Sequence, residues 1–131
     1  MNPTPPRGVA ATPLGPVPLD AAALSRLREL DPDGRHGVLR RVLSAFETSL
    51  ARMLVQLAAE LEDGDAGVVS AVAHTLKSSS ASVGALPLSR ACAEVERRLR
   101  EGGPGDLHAD VERLLAEGEA ALVAVRAMLR P

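Results

Sequence analysis

His74 is the residue of this chain best placed to do chemistry by itself. It lies in Ala73-His74-Thr75-Leu76-Lys77-Ser78-Ser79-Ser80, midway along a stretch with helical apolar periodicity. At ~100° per residue it points roughly 160° away from Leu76 and Val72, so it faces outward while they face inward. Ser70, Lys77, Ser78 and Ala81 share its face at i−4, i+3, i+4 and i+7. Solvated imidazoles titrate near ~6.5 and are largely neutral, hence nucleophilic, at pH 7. Lys77 adds a compact ammonium on a flexible stem, able to reach negative charge carried by the ring, where arginine would impose a planar fork. The small neighbours would let a second protein bring its backbone close.

Of the 15 basic residues only Lys77 is a lysine, and the chain contains no isoleucine. That bias fits a GC-rich genome, and it leaves unexplained why the one exception stands a helical turn from His74. A solvated helix face carrying an incidental His and Lys fits the spacing equally well.

The other candidates are weaker. His36 sits beside a glycine-rich turn and His108 near a helix start, and both read as ordinary solvated residues. No His pair at i, i+3 or i, i+4 supports a metal site. The chain has no glycine-rich phosphate loop, no Gly-x-Ser-x-Gly elbow and no nucleotide fingerprint. Cys92, the single cysteine, can form neither an internal disulfide nor a zinc cluster, and it falls on an apolar stripe where packing is its expected role.

The elements that must position His74 follow from periodicity and punctuation. Residues 1–18 hold prolines at 3, 5, 6, 13, 16 and 18, a composition expected of a disordered tail or linker. Asp20 is a plausible N-cap for a short helix with Leu24, Leu27 and Ala23 on its apolar side, stopped by Asp31-Pro32-Asp33-Gly34. A long helix is expected from about Gly37 to Glu62, since Leu39, Val42, Leu43, Phe46, Leu50, Met53, Leu54, Leu57 and Leu61 recur at helical spacing. The helix carrying His74 should run from about Ala66, capped by Asp65, to Val83, with Val69, Val72, Leu76 and Val83 inward and Gly84 at C′. Pro87 suits the first turn of the next helix, whose stripe is Leu88, Ala91, Cys92, Val95 and Leu99. The last helix, roughly Asp106 to Leu129, should bury Leu107, Val111, Leu114, Leu115, Leu122, Val125 and Leu129.

The expected fold is therefore all-α, an antiparallel four-helix bundle with a short additional N-terminal helix, spanning residues 19–131 after the tail. Composition agrees: of 131 residues, 46% are hydrophobic but only 1% aromatic, so the core is Leu, Val and Ala. The net charge of −2 and a single aromatic residue, Phe46, argue against nucleic-acid binding. No apolar run approaches the ~20 residues needed to span a bilayer, and the first 18 residues lack the apolar stretch of a signal peptide. A monomeric cytoplasmic protein is the expectation.

The run Ala73 to Ala85, with Leu88, Cys92 and Glu96 downstream, resembles the histidine-containing phosphotransfer (HPt) domain family: a His, Leu two later, Lys three later, small residues, Gly84 ten later, and Cys-x-x-x-Glu in the next helix. The resemblance covers essentially Leu19 to Leu129. It implies that His74 is phosphorylated, that Lys77 supports the phosphoryl group, and that Glu96 hydrogen-bonds near the imidazole. The position four after the His is commonly Gly in the family; Ser78 here could donate to the phosphoryl oxygens or restrict docking. The implied partners are receiver domains of response regulators or hybrid histidine kinases, which supply the phospho-aspartate and Mg²⁺. The chain itself would use no cofactor and act as a carrier, not an enzyme. Docking would use Ser70, Ser78, Ala81 and the apolar Val68, with adjoining surface from the preceding helix and from the fourth. Two other readings remain. The dimerisation and phosphoacceptor domain of a histidine kinase usually has an acidic residue directly after its His, where this chain has Thr75. A purely structural helical adaptor would carry no acid-labile phosphate.

Overall fold

A computed structural model describes residues 18–102 and 105–130. Among these residues five helices follow one another: α1 (Ala21–Glu29), α2 (Val38–Ala58), α3 (Ala66–Ser82), α4 (Leu86–Glu101) and α5 (Leu107–Leu129). Among the described residues there is no strand. The tail expected over residues 1–18 lies, Pro18 apart, outside them.

Three of these helices begin on an aspartate that satisfies a free N–H group. Asp20, Asp65 and Asp106 accept from Ala23, Gly67 and His108 respectively, as N-caps do. In α2 the same work falls to a residue seven positions away. Asp31 is buried, and its carboxylate accepts from the N–H of His36 and of Val38 at 3.1 Å each. Burial pushes the Asp31 pKa up, but these N–H groups and the charge of His36 outweigh it and hold the carboxyl below its ordinary range. The Asp31–Gly34 turn thus stops α1 and also starts α2; only the first of these was expected.

The second helix ends at Ala58, four residues before the expected Glu62. Residues 59–61 wind into tighter turns, with Glu60 N–H donating to Leu57 O and Leu61 N–H to Ala58 O. Asp63 then adopts a left-handed backbone at φ 51°. The carbonyl of Leu61, left without an intrahelical partner, is taken by the His108 ring at 2.6 Å.

Helices α2 to α5 form the bundle, each packing on its chain neighbours and α2 closing against α5. Polar links show the antiparallel order. Arg40 donates to Leu129 O, Arg126 pairs with Glu47, and Arg113 with Glu94. The core is the expected aliphatic one, with Leu43, Leu50, Leu57, Leu76, Leu88 and Leu114 at most 2% exposed and Phe46 among them. One stretch departs from expectation. Gly118 and Ala121 fill the middle of the buried face of α5 while Leu107, Leu115 and Leu129 are only partly buried. A Cβ on Gly118 would run into Leu54 of α2, so a glycine sets how closely these two helices approach. No helix of the described residues is long and apolar enough to cross a membrane.

Candidate functional site

The His74 site is held by the α3–α4 hairpin, so the turn joining the two helices sets its register. Gly84, at φ 82°, donates to Ala81 O while Ala85 donates to Ser80 O. This paired closure of a helix C-terminus needs a left-handed residue at that position. The Gly84 carbonyl also accepts from Asp20 N–H at 2.9 Å, and a Cβ on Gly84 would lie 2.6 Å from that nitrogen. The start of α1 is therefore clamped on the turn. Further along, Ser89 Oγ of α4 donates to the Lys77 carbonyl at 2.8 Å, fastening α4 to α3 beside the site.

This register brings together three side chains from the two helices. His74 is exposed, with 71% of its side chain accessible, and its Nδ1 lies 2.6 Å from Glu96 Oε2. Lys77 Nζ donates to the other oxygen of the same carboxylate, Oε1, at 2.7 Å. Glu96 is itself only 12% exposed. The hydrogen bonds from Lys77 and then His74, opposed by desolvation, hold the Glu96 carboxyl below the usual range. A carboxylate accepts and cannot donate. The bond to Glu96 thus places the proton of the neutral imidazole on Nδ1, and Nε2 is left with its lone pair.

Lys77 was expected to support a phosphoryl group; here its partner is Glu96. Glu96, known beforehand only as a position implied by resemblance, turns out to join both other groups. Sequence spacing could not find that link, because positions 74 and 96, 22 apart, lie on two helices whose relative rotation is fixed by the turn. Cys92, one turn before Glu96, is fully buried. Burial, then the charge of Glu96, pushes its thiol up to about 12, so it is neutral and inert beneath the site.

The remaining nominated residues divide by position around α3. Ser78 is exposed, and Ser70 and Ala81 are half-buried on the His74 side. Val68 is also half-buried, but helical geometry puts it about 120° round from His74. Ser79 and Ser82 donate back to the carbonyls of Thr75 and Ser78. Ala81 and Ser82 line a shallow cleft with Arg26, Leu27 and Leu30 of the first helix and its C-cap. A cleft of about 460 Å³ lies elsewhere, between the α1–α2 loop and the end of α5, and includes no residue of α3 or α4. No group of three or more His, Cys, Asp or Glu among the described residues is arranged to hold a metal.

Of the two other histidines, only His108 departs from expectation. His36 is exposed. His108, expected to be merely solvated, contacts Leu61 O through Nδ1 and Glu112 through Nε2 at 3.3 Å.

The geometry is an exposed imidazole backed by a carboxylate on an all-helical bundle, and comparison with known proteins gives the chain a family. The model of the Hpt domain matches residues 41–129, and the chain belongs to that family of histidine phosphotransfer modules of two-component signalling. Among solved structures it is similar to histidine-containing phosphotransfer protein B of Pseudomonas aeruginosa PAO1, with 27% identity, a TM-score of 0.70, and coverage of 85% of this chain and 93% of that one. A search of curated proteins found no match.

Proposed function

We propose that this protein is a phosphorelay carrier that takes a phosphoryl group onto His74 from a receiver-domain aspartate and passes it to the aspartate of a second receiver. The observation that carries this reading is the His74–Glu96 bond at 2.6 Å, which leaves Nε2 as the free nucleophile on an exposed ring. Family membership and the similarity to a histidine-containing phosphotransfer protein support it.

In this reading Nε2 attacks phosphorus in line with the departing aspartate oxygen. Positioning and charge stabilisation then do most of the work. Mg²⁺ belongs to the receiver, and this chain needs no nucleotide because its phosphate arrives from a partner. Lys77, on a flexible stem beside the ring, can turn from Glu96 towards the phosphoryl oxygens. Ser78, Ser70 and Ala81 form the small-residue surface on which the receiver seats, and Gly84 holds the hairpin that presents it. The working unit is a monomer in the cytoplasm, built by residues 19–131.

The test is phosphotransfer from phosphorylated receivers of the source organism. Wild type is expected to acquire acid-labile label, and His74→Gln to acquire none while keeping its helical circular dichroism. Undiminished label on the variant would exclude His74 as the acceptor. A wild type that takes no label from any receiver would favour the adaptor reading.

A further inference from the structure

We propose, resting on the carrier reading above, that Glu96 keeps a proton on Nδ1 of His74 throughout the relay, so that the phosphorylated ring is held as an imidazolium and neither transfer requires a proton to move. The carboxylate would then act as a positioning residue for the second half of the reaction as much as for the first.

The electron count shows what such a group does. In the first transfer the Nε2 lone pair forms the N–P bond. The P–O bond to the receiver aspartate breaks, and its electron pair leaves with the aspartate carboxylate. Nδ1 keeps its hydrogen, so the phosphorylated ring carries one positive charge. In the second transfer an aspartate oxygen attacks phosphorus and the N–P bond breaks. Its pair returns to Nε2 and restores the same neutral imidazole. If Nδ1 lost its proton between the two steps, the leaving group would be an imidazolate anion. A proton would have to return before the phosphoryl group could depart.

The surroundings of the ring favour retention. A carboxylate oxygen stands 2.6 Å from Nδ1, on a side chain with only 12% exposure, so its charge is weakly screened and stabilises the cationic ring. Two further titratable groups adjoin this pair. Lys77 lies on the helix of His74, at 2.7 Å from the other carboxylate oxygen, and Cys92 lies beneath on α4 as a neutral thiol. Lys77 opposes the effect. A phosphoryl group on Nε2 offers it a competing anion within reach of its stem, and any movement towards that group leaves more of the carboxylate's charge to the ring.

The experiment uses the full chain with ¹⁵N-labelled histidine rings, phosphorylated with phosphoramidate, and follows the ring-nitrogen shifts against pH. Glu96→Gln keeps the size and the acceptor for Nδ1–H but removes the charge. The phosphorylated wild-type ring is expected to lose its proton about one pH unit or more above both the variant and phosphohistidine in a short peptide. Above both midpoints the variant should retain its phosphoryl group longer and pass it to a receiver about tenfold more slowly, since one pH unit is tenfold in the protonated fraction. The ratio of the two rates should shrink as the pH falls below both midpoints, where both rings are protonated. Coincident titrations of wild type and variant overturn the inference. So does a wild-type midpoint at or below that of the peptide, a result that needs no variant. Failure of both phosphoramidate and phosphorylated receivers to label His74 overturns the carrier reading, and this inference with it. Label accompanied by unshifted titration overturns this inference alone.

Discussion

Lys77 has two possible anions within its reach, and only one of them is present in the unphosphorylated molecule. Its Nζ rests on Glu96 at 2.7 Å, with the side chain 38% exposed, so water competes for it and the ion pair contributes little to stability. Its value lies in transfer. Lys77→Ala is expected to leave the His74–Glu96 bond and the fold intact and to slow labelling from a phosphorylated receiver about tenfold, a loss at the lower end for one charged donor because of its exposure. Stopped-flow or quench kinetics with saturating receiver would check this, and an unchanged rate would remove Lys77 from the mechanism. At this scale the sequence was informative about identity more than about contact. The outward face of His74 and the oddity of a lone lysine beside it were legible from spacing and composition. The bridging role of Glu96 was not, because helical periodicity gives the face of each helix and says nothing about how two faces are rotated against each other.

The two helices that carry the site depend on the turn between them, and there a single glycine meets two separate demands. Gly84 has a left-handed backbone and leaves no room for a Cβ against the Asp20 backbone, whereas Gly102, at the end of α4, is left-handed at φ 67° with nothing within 4 Å. Gly102→Ala should therefore cost about 1 kcal/mol from backbone strain, and Gly84→Ala about 2–3 kcal/mol because α1 must also shift. Urea denaturation of the pair would check the ordering, and equal losses would refute the clamp. The C′ role of Gly84 was readable from its place after a periodic run. Its contact with Asp20 was not, since it joins residues 64 positions apart along the chain. The early end of α2 escaped notice for a related reason. Leu61 continues the apolar spacing, but turn formation at residues 59–61 and the left-handed Asp63 override it.

At the level of the whole molecule, helix number, order and core composition were legible because an aliphatic chain with short links leaves few ways to bury its stripes. Long-range polar ties were not. The least expected is His108, which binds the end of α2 to the start of α5. Its contact with the Leu61 carbonyl, then the nearby Glu112 charge, raises its pKa in the folded protein despite some desolvation. A folded-state value above the unfolded one means that the stabilisation is fully present below the unfolded pKa, about 6.5, and fades as pH rises through the folded value. The stability difference between wild type and His108→Gln should accordingly be larger near pH ~5.5 than near pH ~8.5. Thermal denaturation at the two pH values would check it, and a difference independent of pH would refute it. One consequence concerns how the chain assembles. The bond that makes the site closes 22 residues, whereas the ties between α2 and α5 close 79 and 89. Loop closure removes less chain entropy over the shorter separation, and contacts near in sequence form faster than distant ones. The reactive centre thus belongs to the part of the molecule that is entropically easiest to form, and the far-reaching contacts that complete the bundle add to a hairpin already in register.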